Sequence, residues 1–486
     1  MSQITIVVRY NPRSWFQRVL QHLADSPVVR QIQVVYSGDR PFPSPKCQFV
    51  NAQSLFSGMS WNTLIERIRT DYMMLILEAG EIEFAPRSIE RLLETAQISG
   101  AGMVYADRWH RDGRKSSLYS VNDYHPGSLR DTFDFGPVQL FSISAVRNAV
   151  IKRHGLIASL QHAGLYDLRL KLSEVASLFH IPEPLFTIQK AKKNLFDYVD
   201  PSREVVEKEM ETVATAHLRR INAWLGPPFR KAPLRRGKFP VEASVIIPVR
   251  NRVATIADAL QSALSQKVNF PFNVIAVDNH SSDGTTKVIA KLARYRNVVH
   301  IIPGRTDLGI GGCWNEAVYS EHCGRFAMQL DSDDLFEVPD ALQRMVDRLR
   351  QSRYAMVIGA YTLINERFEK ISPGLVAHKE WTDDNGPNNA LRVNGLGAPR
   401  AFDTAVLRTI GFPNVSYGED YAVALRISRE FAIGRIYESI YLCRRWSGNT
   451  DACLSMEQSN RNDAYKDTIR TLEILARQKK NRGKRL

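Results

Sequence analysis

Three aspartates follow a short apolar run in the second half of the chain. Residues 326–334 read F-A-M-Q-L-D-S-D-D, and the carboxylates belong to Asp331, Asp333 and Asp334. The apolar run has the length and composition of a buried strand, so the carboxylates come where that strand ends. Asp331 and Asp333 are two residues apart and can reach one cation together if the chain turns sharply. Oxygen ligands without His or Cys favour Mg²⁺ or Mn²⁺, although the pattern alone equally fits a polar loop.

A fourth carboxylate, Asp278, ends another apolar segment and opens a turn of small polar residues, 279–284. In an open α/β sheet, ligands bind outside the carboxyl ends of the strands. A carboxylate there can accept a hydrogen bond from a nucleotide base or a ribose hydroxyl. Pro248, Arg250 and Asn251 follow a neighbouring apolar segment and are expected at the same sheet edge. Taken alone, Asp278 also fits a helix cap or a turn residue.

Strand-like and helix-like segments alternate through both halves of the chain, which predicts α/β layers with a mainly parallel sheet. The predicted strands lie at 3–9, 31–36, 72–77, 102–105, 243–250, 273–278, 298–302 and 326–330. The predicted helices lie at 15–23, 61–69, 86–96, 254–264 and 313–319.

The two halves also align without gaps. Asn62 corresponds to Asn315, a shift of 315 − 62 = 253 residues. We interpret this as two copies of one domain. The other matching positions at this shift are Gly58, Trp61, Leu77, Pro86, Arg91, Ser99, Met103 and Val104.

The copies differ at the carboxylates. At the same shift, residues 331–334 fall on Glu78, Ala79, Gly80 and Glu81, so Gly80 stands where Asp333 does. We therefore predict that the first copy binds no metal, unless Glu78 and Glu81 use another geometry. Asp167 falls near the position of Asp420 in the second copy if a gap is allowed.

The predicted domains are 1–200, a helical and basic linker at 201–240, a second domain at 241–450, and a helical basic tail at 451–486. The linker is expected because residues 204–224 are helix-like and are followed by Gly226, Pro227, Pro228 and a basic run. Residues 381–386 read W-T-D-D-N-G and predict a mobile polar loop that could cover an acceptor, or a plain surface loop.

The composition is that of a globular protein with more than one domain: 486 residues, 44% hydrophobic and 24% charged. No window approaches the roughly 20 apolar residues of a membrane-spanning helix, and the N-terminus lacks the features of a signal peptide. The five cysteines match no zinc spacing, so we expect reduced thiols in a cytoplasm.

The net charge of +14 favours an anionic partner: nucleic acid, a phosphate-bearing substrate or an anionic membrane face. The sequence contains no known nucleic-acid-binding module, so nucleic acid is not expected. Residues 477–485 concentrate basic side chains, and a solvated, disordered tail is favoured there over a specific site.

Six segments in order, over roughly 210 residues, resemble the family 2 glycosyltransferases of the GT-A fold. They are A-S-V-I-I-P-V-R-N-R at 243–252, F-N-V-I-A-V-D-N-H-S-S-D-G-T at 272–285, D-L-G-I-G-G-C-W-N-E-A at 307–317, Q-L-D-S-D-D at 329–334, G-F-P-N-V-S-Y-G-E-D-Y at 411–421 and L-C-R-R-W at 442–446. The first copy resembles the fold more faintly and lacks the motifs. The resemblance implies two GT-A-like, Rossmann-like α/β domains in tandem.

The resemblance also implies roles for individual residues. Asp278 would hold the nucleotide base, Asp331 would contact ribose or metal, and Asp333 would bind the metal. Asp420 would be the general base, with Glu419 as a second carboxylate or merely a surface charge. The donor site would further include Pro248, Arg250, Asn251, Asp307, Arg444, Arg445 and Trp446. Leu442 stands where membrane-bound processive members carry Gln, which argues against processive synthesis.

These residues predict an inverting glycosyltransferase that is active in the second copy and depends on Mn²⁺ or Mg²⁺. The resemblance implies a nucleotide-diphosphate sugar as the donor, by default a UDP-sugar. A divalent ion and Arg side chains would neutralise the leaving diphosphate. The acceptor would be a hydroxyl of a glycan, lipid-linked or protein molecule, as in cell-surface polysaccharide biosynthesis. The alternatives are a bifunctional enzyme with both copies active and a non-catalytic scaffold that binds nucleotide sugar or glycan. The expected location is cytoplasmic, with peripheral contact at the inner membrane face through the basic surface.

Overall fold

A computed structural model describes residues 2–38, 44–52, 54–77, 80–152, 155–189, 204–233, 238–295, 297–393, 396–449 and 454–483. The chain forms two compact units. Unit 1 comprises Met1–Trp224 and Ser455–Leu486, and unit 2 comprises Leu225–Leu454. Each unit is built on one mixed sheet with helices packed on it.

Unit 1 contains a nine-stranded sheet in the order β3-β2-β1-β4-β8-β6-β9-β5, with β7 paired to β6. The strands are β1 (Ile4–Arg9), β2 (Val29–Tyr36), β3 (Cys47–Asn51), β4 (Tyr72–Ile76), β5 (Ile82–Phe84), β6 (Met103–Asp112), β7 (Lys115–Tyr119), β8 (Val138–Ser142) and β9 (Leu178–Gln189). The helices are α1 (Ser14–Asp25), α2 (Gly58–Arg67), α3 (Ser88–Ser99), α4 (Ile143–Lys152), α5 (Gly164–Ser173), α6 (Glu204–Arg220) and, from the end of the chain, α14 (Met456–Gly483).

Unit 2 contains a sheet in the order β12-β11-β10-β13-β17-β15-β18-β14, with β16 paired to β15. Its strands are β10 (Ala243–Val249), β11 (Phe272–Asp278), β12 (Val298–Ile301), β13 (Phe326–Gln329), β14 (Leu335–Phe336), β15 (Met356–Ile364), β16 (Lys370–Val376), β17 (Arg400–Asp403) and β18 (Ile433–Arg444). Its helices are α7 (Ile256–Leu264), α8 (Thr285–Leu292), α9 (Ile310–Tyr319), α10 (Ala341–Ser352), α11 (Gly386–Asn389), α12 (Thr404–Ile410) and α13 (Glu419–Glu430).

The two sheets have the same strand order when the strands of each unit are counted from its first strand. The shift of 253 residues also appears in the element bounds: α3 at Ser88–Ser99 corresponds residue for residue to α10 at Ala341–Ser352. β6 and β15 likewise begin 253 residues apart, at Met103 and Met356. Both units therefore have the same α/β architecture, as the sequence predicts.

The central strands of unit 2 are parallel and buried on both faces, which explains their unbroken apolar sequences. β10 pairs in parallel with β11 on one side and with β13 on the other. Helix α10 places Leu342, Met345, Val346 and Leu349 on one buried face against this sheet. The apolar core thus fixes the directions of β10, β11 and β13 and brings their carboxyl ends to one edge.

The C-terminal segment differs from the expectation of a solvated, disordered tail at 477–485. Residues up to Gly483 belong to helix α14, and Arg477 is fully buried, with Nε donating to Glu473 Oε1 over 2.7 Å. The expectation is therefore wrong for residues 477–483, because basic side chains in this helix are paired inside unit 1.

The segment predicted as a polar loop at 381–386 is also anchored. Trp381 is buried, and Gly386 lies against its indole ring. A glycine is needed there, since a Cβ at Gly386 would lie only 2.5 Å from the ring. None of the helices in the described parts of the chain carries an apolar stretch long enough to cross a membrane.

Candidate active site

The candidate site lies at the carboxyl edge of the unit 2 sheet. Asp278 is the last residue of β11, and Asp331 follows β13 after one intervening residue. Pro248 is in β10, and Arg250 and Asn251 come directly after it. Because β10 pairs in parallel with both β11 and β13, these positions meet at the same edge of the sheet.

The three aspartates after β13 form a crowded anionic cluster. Burial and the charge of Asp333 together raise the pKa of Asp331 to about 6, although a hydrogen bond from Gln329 acts to lower it. Burial and the charges of Asp331 and Asp333 also raise the pKa of Asp334 well above its usual range. Three ionised carboxylates so close together are therefore unfavourable, and a bound cation would reduce the repulsion between them.

Asp333 is held by side chains that arrive from the end of β18. Trp446 Nε1 donates to Asp333 Oδ2 over 3.0 Å, and Asn449 Nδ2 donates to the same oxygen over 3.1 Å. Arg252 Nε lies 3.9 Å from this oxygen, and its guanidinium lies over the Trp446 ring. The structure thus brings the predicted residues Asp333 and Trp446 together, and it adds Asn449 and Arg252, which the sequence analysis did not select.

Arg444 and Arg445 lie close to the cluster but make other contacts. The Arg444 backbone N donates to Asp334 Oδ1 over 2.8 Å, and its Nη2 donates to Asp258 Oδ2 over 2.9 Å. Arg444 is buried, and its Nε has no hydrogen-bond partner among the described residues. The Arg445 backbone N donates to Ile364 O over 2.7 Å. The Arg444 backbone thus holds the Asp334 carboxylate in place, and the Arg444 guanidinium neutralises the charge of Asp258.

Asp278 organises the turn after β11. Its carboxylate accepts from Ser281 N over 3.0 Å and from Thr286 Oγ1 over 2.5 Å, and His300 Nε2 lies 3.5 Å away. Burial acts to raise its pKa, but the hydrogen bonds from Ser281 and Thr286 outweigh this effect and lower the pKa. These contacts are those of a turn residue, and the role of Asp278 in base recognition stays a prediction.

The segment after β10 is tied to that turn. Asn251 has a positive φ of 53°, and its Oδ1 accepts from Ser282 N over 2.8 Å. The Arg252 backbone N donates to Thr285 Oγ1 over 2.8 Å. Pro248 is half-buried and Arg250 is exposed. Hydrogen bonds therefore connect residues 250–252 to residues 281–285 at the sheet edge.

Asp307 is exposed on the surface of unit 2. Its carboxylate forms an exposed ion pair with Arg305, which lowers the pKa of Asp307. The Asp307 backbone O accepts from Asn414 Nδ2 over 3.2 Å, and Asn414 Oδ1 accepts from Gly309 N over 2.8 Å. The loop before α9 is thereby joined to the segment that leads into α13.

Helix α13 begins with the two predicted catalytic carboxylates. Glu419 is buried, and burial together with the charge of Asp420 raises the pKa of Glu419 to about 8. Its Oε2 has no hydrogen-bond partner among the described residues. Asp420 is partly exposed and accepts from Arg400 Nη1 and from Tyr421 N. The raised pKa favours the protonated form of Glu419 at neutral pH, and Asp420 forms an ion pair with Arg400.

Arg400 and Gln329 are functional candidates that the sequence analysis missed. Arg400 Nε donates to Gln329 Oε1 over 2.9 Å, and Gln329 Nε2 donates to Asp331 Oδ1 over 2.9 Å. Both residues lie in short strands that are otherwise largely apolar and fully buried, β17 and β13. A charged or amide side chain in such a strand needs a partner, and this could have served as a signal.

Unit 1 has different chemistry at the corresponding places. Gly80 replaces Asp333, and Glu78 and Ala79 lie outside the described residues. Glu81 forms an ion pair with Arg18 over 2.7 Å, and buried Asp167 accepts from Lys171 Nζ over 2.6 Å. In the part of the chain that the structure describes, no group of three His, Cys, Asp or Glu side chains forms a complete metal site.

Comparison with known proteins adds to this geometry. Residues 244–409 match the family model for glycosyl transferase family 2. This segment of unit 2 is thus similar to glycosyl transferase family 2. The match begins in β10, ends in α12, and includes Asp278, Asp307 and the three aspartates after β13.

Two curated relatives are also glycosyltransferases by name. An uncharacterized glycosyltransferase of Rickettsia felis (strain ATCC VR-1525 / URRWXCal2) is 23% identical over 312 residues, which are 59% of this chain and 50% of the relative. The putative teichuronic acid biosynthesis glycosyltransferase TuaG of Bacillus subtilis (strain 168) is 24% identical over 188 residues, 38% of this chain and 72% of the relative. The chain thus spans about half the length of the Rickettsia relative.

Solved structures that are similar to the chain have low identities and low TM-scores. S. aureus TarS 1–349 in complex with UDP is 22% identical with a TM-score of 0.37, covering 48% of this chain and 65% of that chain. The mannosyltransferase PcManGT of Pyrobaculum calidifontis, in complex with GDP-Man and Mn²⁺, is 15% identical with a TM-score of 0.32, covering 56% of this chain and 85% of that chain. With the family match and the two sheets of equal strand order, the predicted fold class of two GT-A-like α/β domains in tandem is confirmed.

Proposed function

We propose that unit 2 transfers a sugar from a nucleotide-diphosphate donor to an acceptor hydroxyl, with inversion at the sugar carbon. The observation that carries this proposal is the position of the base candidate relative to the anionic cluster. Asp420 at the start of α13 is connected through Arg400 and Gln329 to Asp331 at the end of β13. This connection supports the proposal, because it would join a site for a metal diphosphate to a group that accepts a proton.

Asp331 and Asp333 would hold the divalent cation. The donor set is two carboxylates, which suits Mg²⁺ or Mn²⁺ because these ions complete their coordination with phosphate oxygens and water. A bound cation would neutralise charge on the leaving diphosphate. The raised pKa values of Asp331 and Asp334 fit this assignment, since carboxylates crowded at one place ionise together more easily beside a cation.

Asp420 would accept the proton of the acceptor hydroxyl. The carboxylate lies in the first turn of α13, where the helix dipole favours a negative charge, and Arg400 adds a positive charge beside it. Protonated Glu419, one residue earlier, could donate a hydrogen bond to a sugar or acceptor oxygen. A single base and direct attack give inversion, because the acceptor enters opposite the leaving diphosphate.

The donor and acceptor classes belong to the same proposal. A UDP-sugar is the default donor, and Pro248, Arg250, Asn251, Asp278 and Asp307 would surround its nucleoside. The name of the Bacillus relative refers to teichuronic acid biosynthesis, and the acceptor we propose is a glycan or a lipid-linked glycan precursor, as in cell-surface polysaccharide biosynthesis. Transfer of a sugar to such an acceptor would fit an enzyme in the cytoplasm that contacts the inner membrane face through basic side chains.

The test is a screen of nucleotide sugars for diphosphate release, with Mn²⁺, with Mg²⁺ and with excess EDTA. We expect release from at least one donor, only with a cation. Binding of UDP-sugar with no turnover on any acceptor would instead support the non-catalytic scaffold. The bifunctional alternative would require turnover of two different donors. Turnover of one of them should persist after the unit 2 aspartates are substituted.

The role of Asp420 is tested with Asp420→Asn. Loss of the base should lower the transfer rate per folded molecule by about 10²–10⁴-fold while donor binding changes little. Stability should also fall, because the substitution removes the charge that the buried Arg400 contacts. A residue that only caps the helix or pairs with Arg400 would lower stability and leave the rate per folded molecule unchanged. Transfer by Asp420→Asn at the wild-type rate would move the base elsewhere, with Glu419 as the next candidate.

A further inference from the structure

We propose that Arg400 is a positioning residue that, through Gln329, holds the base Asp420 at a fixed place relative to the metal-binding Asp331. The inference rests on the proposed function of unit 2. It concerns side chains from three separate elements: β13, β17 and α13.

Arg400 makes contacts in two directions. Its Nη1 donates to Asp420 and, over 2.6 Å, to Leu396 O, while its Nε donates to Gln329 Oε1 over 2.9 Å. Only 6% of Arg400 is exposed, so water does not compete strongly for these bonds. The planar guanidinium fixes the angle between the two side-chain partners, which a lysine ammonium on a flexible stem would not do.

Gln329 carries the connection to the aspartate cluster. Its amide oxygen accepts from Arg400, and its amide nitrogen donates to Asp331 Oδ1 over 2.9 Å. The amide is thus oriented by a donor on one side and an acceptor on the other. Four side chains form one continuous sequence of hydrogen bonds: Asp331, Gln329, Arg400 and Asp420.

The functional consequence is geometric. The acceptor hydroxyl must approach the donor carbon in line with the leaving diphosphate, whose place is set by Asp331 and Asp333. The base must be in reach of that hydroxyl at the same moment. Rigid placement of Asp420 against Asp331 supplies this alignment, and neither Arg400 nor Gln329 needs to touch the reacting atoms.

Unit 2 offers a matched control in Arg435. Arg435 is 5% exposed and its Nη2 donates to Ala377 O over 2.6 Å. Its electrostatic neighbours are Glu380, Tyr437 and Asp383, none of which belongs to the proposed site. Replacement of either arginine by Met removes a buried guanidinium, so a general loss of packing or charge should appear in both variants.

The experiment measures UDP release from a UDP-hexose with Mn²⁺, using the hexose with the highest wild-type rate, in the full chain. The variants are Arg400→Met, Arg400→Lys, Gln329→Leu and Arg435→Met, each with its thermal melting curve. We expect Arg400→Met to lower kcat by about 10²-fold with the donor KM within about threefold of wild type, since misplacement of about 1 Å costs that much. Arg400→Lys should recover part of kcat, and Gln329→Leu should lower kcat in the same direction.

Arg435→Met should lower the melting temperature and leave kcat per folded molecule unchanged. The inference is overturned if Arg400→Met and Gln329→Leu keep the wild-type kcat, or if their loss of kcat only parallels a loss of folded protein as in Arg435→Met. If Arg400→Met does not fold, Gln329→Leu decides between these outcomes. Absence of any donor turnover in the wild-type protein would be a failure of the proposed function itself, and it is recognised before any variant is compared.

Discussion

At the scale of single residues, Glu419 shows how strongly the fold changes an acid. Burial and the neighbouring Asp420 raise its pKa to about 8, from an ordinary value of 4.5. The folded state therefore keeps a proton that the unfolded chain loses as the pH rises above that ordinary value. The stability linked to this proton is fully present below about pH 4.5 and is lost as the pH rises through about 8.

This behaviour predicts a pH-dependent effect of Glu419→Gln on stability. Gln resembles the protonated acid but cannot ionise, so the variant should lose less stability than wild type between about pH 5 and pH 8. The measurement is a series of thermal melting curves across this range without metal or donor. The exposed Glu366→Gln provides the control and should follow the wild-type curve. Parallel curves for Glu419→Gln and wild type would show that Glu419 is ionised in the folded protein.

The residues that could be found from the sequence are those in local motifs. Asp331 and Asp333 follow an apolar strand, and Trp446 lies in a recognisable short segment. Arg400 and Gln329 could not be connected to them, because their contacts join residues that are 20 and 71 positions apart in the chain. Asn449 was missed for the same reason, since its contact with Asp333 joins residues that are 116 positions apart.

At the scale of elements, α9 depends on close backbone contact with the segment before α13. A Cβ on Gly311 would lie 1.9 Å from Pro413 O and 3.0 Å from the Glu419 Cβ. The Gly311 backbone N also donates to Val415 O over 2.9 Å. The glycine thus lets α9 approach the backbone that leads to Glu419 and Asp420.

Gly311→Ala is predicted to push the 413–415 segment away from α9. We expect a loss of stability of about 1–3 kcal/mol from overpacking, together with lower activity, because α13 carries the base. Gly304→Ala is the control, since a Cβ at Gly304 meets no atom within 4 Å. Thermal melting and donor turnover measured on both variants check the prediction. An unchanged melting temperature and donor turnover of Gly311→Ala would show that residues 413–415 can move without a loss of stability.

The elements were predicted unevenly from the sequence. The predicted helix at 86–96 and strand at 102–105 overlap α3 and β6, and their counterparts α10 and β15 begin 253 residues later. The strands β8, β9, β17 and β18 were not assigned from their sequences. Their burial patterns are irregular or too short to show a period, and each is stabilised by pairing with strands that are distant in the chain.

At the scale of the whole molecule, two units with one architecture have different chemistry at corresponding places. Gly80 of unit 1 stands where unit 2 has Asp333 of the aspartate cluster. The buried Asp167–Lys171 pair of unit 1 lies near the position that corresponds to Asp420. Unit 1 is completed by the C-terminal helix α14. Arg130 contacts Asp463 and Asp467 of that helix, and Asp467 also accepts from Arg470 Nη1 over 2.6 Å.

Asp467→Asn should therefore destabilise unit 1. The change removes one of the carboxylates that the buried guanidinium groups of Arg130 and Arg470 contact, and breaking a buried ion pair typically costs about 3–5 kcal/mol. Glu457→Gln on the same helix is the matched control, since Glu457 is exposed and should change stability by less than about 0.5 kcal/mol. Differential scanning calorimetry should show a lower transition temperature for Asp467→Asn alone. Equal curves for the two variants would mean that α14 contributes little to unit 1.

The most direct test of the central claim is cation-dependent turnover of a nucleotide sugar by wild type, Asp333→Asn and Asp340→Asn. Asp333 lies in the cluster beside Trp446, and Asp340 is a half-buried aspartate outside the cluster that is paired with Arg344. We predict that wild type and Asp340→Asn turn over donor only with Mn²⁺ or Mg²⁺, and that Asp333→Asn is inactive but melts at nearly the wild-type temperature. Full turnover in excess EDTA, or wild-type turnover by Asp333→Asn, would contradict the account.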